Sequence, residues 1–240
     1  MFEKFEKLQI FSLGVVLAIG MIGATKVISS GFSNNEITVT GSAFQTVKSD
    51  SGSLDFSISV TRPSKKEAYE TVQSQIKLVE KYLKDNNITK SEMKTVNGYY
   101  NYKRDFRTGA YTNEVSSYSL FQPFSISSED VELIKKISND ITGLINQGID
   151  IVVERPSYDY SKLPELKVAL LEEASKDAQK RATAMLKPTN NKVGKVQSVK
   201  MGVFQITPVD STSVSDMGIN DTSTIDKKVT AVANVSFKVK

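Results

Sequence analysis

Residues 53–87 read SLDFSISVTRPSKKEAYETVQSQIKLVEKYLKDNN, and inside them the hydrophobic period changes from two to about 3.6. Leu54, Phe56, Ile58 and Val60 alternate with Asp55, Ser57 and Ser59, the pattern of a strand with one buried face. Arg62-Pro63 stops it, because proline has no N–H to donate to a neighbouring strand. Ser64 and Glu67 then stand at capping-box spacing, and Ala68, Val72, Ile76, Val79 and Leu83 line one face of the helix that follows. Asp85-Asn86-Asn87 ends it, asparagine tolerating the left-handed turn a helix exit needs. A strand is thus followed at once by a helix with an apolar face to bury.

Working outward, Ile37–Gly41 alternates and predicts a further strand. Met93–Phe106 and Val115–Ile126 predict a long hairpin turning at Arg107-Thr108-Gly109, with Tyr118, Leu120, Phe124 and Ile126 on one face. Pro123 marks an edge or a bulge. Ser128 is read as the cap of a second helix ending at Asn146, with stripe Val131, Ile134, Ile137, Ile141 and Leu144 and with Glu129, Asp130 and Glu132 at its N-terminus. Gly148 sits where a C-terminal cap belongs, and Ile149, Ile151 and Val153 form a short strand. A third helix covers Leu163–Leu186 with buried line Leu163, Leu166, Leu170, Ala174, Ala178, Ala182 and Met185. Its alanines, four apart, let a neighbouring backbone come close.

Val193–Ile206 and Lys227–Lys240 are the last two strands, and in the latter Val229, Ala231, Ala233, Val235, Phe237 and Val239 share a face. The Ser-, Thr- and Asp-rich stretch Thr207–Asp226 between them is long enough to be functional or disordered. The sum is an α+β fold of duplicated strand–helix–strand–strand units, with antiparallel or mixed sheets and three main helices.

Ahead of all this, Leu8–Ile28 is almost uninterruptedly apolar. As a helix it would span about 31 Å, enough to cross a bilayer. The division expected is therefore 1–31, a signal anchor or signal peptide, and 32–240, the α+β domain. The apolar run exceeds a usual signal core of about 7–15 residues, which favours an uncleaved anchor. That puts the domain on the outer side of the cytoplasmic membrane, or free there if the segment is cleaved. One membrane-spanning helix would precede the domain.

Composition limits the chemistry. There is no His, Cys or Trp in 240 residues, so the commonest general base, the thiol nucleophile and the commonest transition-metal ligands are missing. Net charge is +4, and the basic residues are interspersed with acids, unlike a nucleic-acid-binding stripe. Ser74-Gln-Ile-Lys77 and Ser91-Glu-Met-Lys94 match Ser-x-x-Lys, the nucleophile motif of penicillin-recognising enzymes. No Ser-Asp-Asn follows, and Ser138-Asn139-Asp140 is the nearest string. Glu172, Glu173 and Asp177 read as a charged helix face rather than an acid–base pair. Asp210, Asp216, Asp221 and Asp226 fit no calcium-loop spacing. No cofactor or metal is expected, and no enzyme activity.

The conspicuous cluster is Tyr99, Tyr100, Tyr102, Phe106, Tyr111 and Tyr118, interleaved with Lys103, Arg104 and Arg107. Tyr and Arg are favoured where proteins meet, so the expected interface residues are Tyr99, Tyr100, Tyr102, Arg104, Phe106, Tyr111 and Tyr118, joined by the final strand. Cross-strand pairing within the sheet and stacking on a sugar or nucleic acid are the competing uses.

With these pieces in order, the chain resembles the SIMPL-domain family of bacterial exported proteins from Glu36 to Lys240. The resemblance is carried by Ile37-Thr-Val-Thr-Gly-Ser42, the alternating strand to Val60, Ala68 with Val72, and Leu83–Ile88. The tyrosine-rich hairpin follows, then Ala174-x-x-Asp177-Ala178-x-x-x-Ala182, Val193-Gly194-x-Val196 and Val229–Val239. It departs at Lys187–Asn191 and at Asp226-Lys227-Lys228, which affects loop geometry. The resemblance implies an envelope protein that builds homo-oligomeric rings or channel-like assemblies, some relatives being linked to oxidative-stress tolerance. It offers no catalytic residues. The function expected is a non-enzymatic envelope module whose partner is itself, held to the membrane through Leu8–Ile28, with no nucleic acid and the small-molecule ligand unknown. The alternatives are a Ser-Lys acyl-transferring envelope enzyme and an envelope glycan-binding module with Thr207–Asp226 as lid.

Overall fold

In the computed structural model, residues 35–240, together with Met21, are described. The expected anchor Leu8–Ile28 lies outside the described residues apart from Met21. Among the described residues no helix is long and apolar enough to cross a membrane. The described residues form an α+β architecture with three α-helices and two sheets. Among the described residues, 43–173 and 202–232 make one compact unit, and 35–42, 174–201 and 233–240 belong to the other.

The larger unit contains a six-stranded sheet. β2 (Ser51–Arg62) and β5 (Tyr111–Ser128) are its centre, paired antiparallel from Gly52↔Ser128 to Arg62↔Tyr118. β3 (Lys90–Met93) and β4 (Asn97–Arg104) share the far side of β5. β6 (Asp150–Val153) and β7 (Ser157–Asp159) share the far side of β2. Leu54, Phe56, Ile58 and Val60 are buried and their serine neighbours are not, as the alternation requires. Phe56 stacks on Phe124 across the central pair at 5.1 Å.

α1 (Lys65–Asp85) begins at its predicted cap. Ser64 Oγ accepts from Glu67 N–H and donates to Glu67 Oε1. All five residues of its predicted stripe are buried in one core with β2 and β5, the four larger side chains being worth about 1.5–3 kcal/mol each. Asn87 at its exit takes φ 60°, as expected of asparagine there. α2 (Val131–Asp140) is capped by Asp130, which accepts from the N–H groups of Glu132 and Leu133. The expected cap, Ser128, stands two residues early and accepts from Asp130 N–H instead. After Asp140 the helix tightens to a 3-10 turn over Ile141–Gln147 and closes on Gly148 at φ 78°.

Two expectations are corrected here. Pro123 lies on a central strand, not an edge. Its carbonyl accepts from Lys94 N–H, so its missing N–H faces the same side, where the chain leaves β3 and has not yet begun β4. The gap between those two strands is where proline can be tolerated. The duplicated units also do not each keep their own sheet: β6, the expected first strand of the second unit, joins β2, with Ile151 and Val153 opposite Ile58 and Phe56.

The second sheet has the order β1 (Glu36–Lys48), β11 (Asp226–Val239), β9 (Gln205–Pro208), β10 (Ile219–Asn220), with β8 (Val193–Met201) also on β11. In the smaller unit, β1 meets α3 (Leu163–Leu186) at the alanine seam. A Cβ on Gly41 would lie 2.1 Å from the Ala174 carbonyl oxygen and 2.4 Å from Ala178 N, so only glycine fits. Ala174, Ala178 and Ala182 are fully buried. Ser42 N–H donates to Asp177, which also pairs with Arg181 at 2.7 Å. Of the predicted line, Leu163 is half-buried and Leu166, Leu170, Ala174, Ala178 and Ala182 are buried. Met185 is exposed and Leu186 is buried in its stead.

Candidate functional site: an aromatic arm

β2 stops pairing with β5 at Tyr118, but β5 continues back to Tyr111 with β4 alone beside it. Residues 111–117 with their β4 partners therefore form a two-stranded arm, about 24 Å long at roughly 3.4 Å per residue. No helix stripe covers it, so side chains that would be core elsewhere in β5 are open to solvent here. Tyr99, Tyr100 and Tyr102 are about half exposed, Tyr111 more so, and Phe106 is fully exposed at 107%.

The arm is nevertheless well braced. Tyr100 meets Tyr118 edge-on at 4.8 Å, and Tyr99 stacks on Phe121 at 5.7 Å. Arg104 lies over the Tyr111 ring at 4.5 Å and donates to its hydroxyl. Lys103 pairs with Glu114 at 3.0 Å. Asn101 donates to Ser117 and Ser119, and the Ser119 hydroxyl also meets that of Thr61 on β2. At the tip, Asp105 accepts from the N–H groups of Thr108 and Arg107, which holds its carboxyl below the usual carboxylate range. Gly109 supplies the positive φ, 71°, that closes the turn.

At the root is a hollow of about 640 Å³ lined by Lys65, Lys66, Tyr69, Val96, Gly98, Tyr118 and Leu120. Lys65 Nζ stands 5.7 Å from the Tyr118 ring. Glycine at 98 keeps the wall thin, since a Cβ there would come within 2.6 Å of both Leu120 Cδ2 and the Tyr118 hydroxyl.

Six of the seven expected interface residues are exposed: Tyr102, Arg104, Phe106 and Tyr111 on the arm, and Tyr99 and Tyr100 at its root, opposite Ser119 and Tyr118. Tyr118 is only 7% exposed; it belongs to the core at the arm's base and positions Tyr100. The final strand does not offer a free edge. β11 has β1 on one side and β8 with β9 on the other, so its backbone groups are already spent.

The remaining sequence candidates are scattered. Ser74 Oγ donates to the Thr71 carbonyl on the outer side of α1, and Lys94 pairs with Asp55 at 3.0 Å. Ser91 is exposed on β3. Asp177 serves the Ser42 N–H and Arg181. Among the described residues no group of three or more acidic side chains is placed to hold a metal ion. The smaller arrangement that periodicity missed is a buried ion pair in the Thr207–Asp226 connection. Lys227 donates to the Asp221 carbonyl at 2.6 Å and stands 3.8 Å from its carboxylate.

Burial pulls the Lys227 ammonium below its ordinary pKa, against the pull of Asp221 and Asp159. Burial also works against a charged Asp221. Hydrogen bonds from Ser223 and Thr224, with Lys227, outweigh it and hold that carboxyl below its usual value. The signal was present: Lys227 shares the phase of Val229 and Ala231 on β11, a lysine where the alternation requires a buried residue.

A family model for SIMPL, described as a protein of unknown function (DUF541), matches residues 37–237. The chain belongs to the SIMPL family. No curated protein matches it. The SIMPL match spans the three described helices and nearly all of both sheets, and so includes the arm and its root.

Proposed function

We propose that this SIMPL protein is a non-enzymatic module that self-assembles outside the cytoplasmic membrane, with the aromatic arm as the contact between protomers. The observation that supports it is the arm itself: Tyr99, Tyr100, Tyr102, Tyr111 and Phe106, with Arg104, held exposed on a hydrogen-bonded hairpin. Interface energy concentrates in residues of these types, and the braces above mean that little side-chain freedom remains to be lost on contact. Residues 1–31 serve as the anchor and 32–240 as the assembling domain. The anchors of associated protomers would add their membrane affinities through effective concentration.

Light scattering of the full chain in mild detergent tests the assembly, with an oligomer expected at micromolar concentration; a strict monomer sinks the proposal. A phosphatase fused after Lys240 tests the location. It should be active only if the domain lies outside the cytoplasm, and an inactive, stably expressed fusion would count against it.

A further inference from the structure

We infer that Phe106 at the tip of one arm seats in the hollow at the root of the arm of a second copy, so that two arms lie antiparallel and face to face about a twofold axis. This deepens the assembly reading and rests on it.

The first observation is that knob and hole lie on one chain and suit each other. Phe106 is fully exposed on a turn made rigid by the Asp105 hydrogen bonds. The hollow is walled by Tyr69, Val96, Tyr118 and Leu120, mostly apolar surface, and its volume of about 640 Å³ lies within the range of occupied pockets. The second is where the two lie. The period of two puts Gly98, Tyr100, Tyr102 and Arg104 on one face of β4, running from the hollow to the turn. A copy turned by a twofold axis near the middle of that face brings each tip to the other's root. The same patch then meets itself, each tip against the other's root, which is the condition for an isologous contact.

The third observation is the cation beside the hole. Phe106, flanked by Asp105 and Arg107, brings no net charge, and Lys66 already pairs with Glu70 at 3.8 Å, which leaves Lys65 to meet the ring. Lys65 already faces one aromatic ring there, and an incoming phenyl face would give its ammonium a second. A single chain cannot make this contact itself, because tip and root are the two ends of one stiff hairpin.

The chain contains no cysteine, so a pair of introduced thiols reports the contact without background. Full-length chains carrying Phe106→Cys and Tyr69→Cys, with different tags, are co-expressed and oxidised in the membrane. The mixed disulfide-linked pair should dominate over both like pairs. Phe106→Ala, and independently Val96→Trp to fill the hole from its exposed wall, should each weaken self-association about tenfold while circular dichroism is unchanged. If the chain self-associates but neither variant weakens it and the mixed pair is no more abundant than the like pairs, the inference falls and the assembly reading stands. If the Tyr69→Cys chain links to a different protein, the hollow has another occupant and the inference falls. A monomeric full chain overturns both.

Discussion

The arm and the connection between β9 and β11 are both long excursions from a sheet, and they behave oppositely to their composition. Residues 97–117 are rich in tyrosine and project into solvent. The polar stretch 209–225 is tied down repeatedly. Gln205 binds both the N–H and the carbonyl of Ser215, Lys228 donates to the Ser211 carbonyl, and Lys227 holds Asp221. The carbonyls of Thr222 and Ile225 accept from Tyr158 and Ser49. Ile219–Asn220 even pairs in parallel with β9. Exposure here follows the neighbours available. A hairpin that outruns the helix meant to cover it leaves its aromatics bare, while a polar loop with a buried lysine beneath it becomes part of the body.

The largest test of the contrast removes that lysine. Lys227→Met should cost about 3–5 kcal/mol in urea unfolding, since it strands a buried carboxylate. Replacing Asp221 with leucine in the same chain should recover much of the loss.

Acid should loosen the same loop. The folded pKa of Asp221 lies below its ordinary 3.8, so its contribution is in place above that value and is lost as pH falls through the lowered folded one. Limited proteolysis should therefore begin to cut within 209–225 as the pH drops below 3.8, before the arm is cut. Asp221→Asn should be cut there already at neutral pH. Cutting that starts in the arm would reverse the comparison.

Gln205→Ala should cost about 1 kcal/mol through the lost Ser215 bonds, read as a lower urea midpoint. Smallest of all in stability is the combined Tyr100→Ala, Tyr102→Ala and Arg104→Ala variant. It should shift unfolding by less than about 1 kcal/mol, yet abolish self-association in light scattering. A large stability loss would mean that the arm's aromatics serve the fold and are not a contact surface.

Much of this was legible in the residues. The period change at Pro63, the Ser64–Glu67 box, the α1 stripe and the limits of α3 all lie in local chemistry, which acts within a few residues and so is written in order along the chain. The aromatic cluster was legible as a cluster for the same reason. The capping of α2 was misplaced by two residues because Ser128, Glu129 and Asp130 all carry oxygens able to cap, and only backbone geometry chooses among them. The fate of Tyr118 depended on how far β2 and α1 extend beside it, which the hairpin's own residues do not encode.

By itself, then, the sequence determined the kinds of element, their faces and the exclusion of histidine and thiol chemistry, since these depend on residue type and short-range spacing. Tertiary structure decided which strands pair: β6 with β2, β11 between β1 and β8, the break opposite Pro123. It also decided that Tyr69, Gly98 and Leu120, distant in sequence, enclose one hollow at the root of the arm. Those outcomes are settled by long-range competition for hydrogen bonds and cover, because a strand's partner is whichever edge remains free once the helices have buried their stripes.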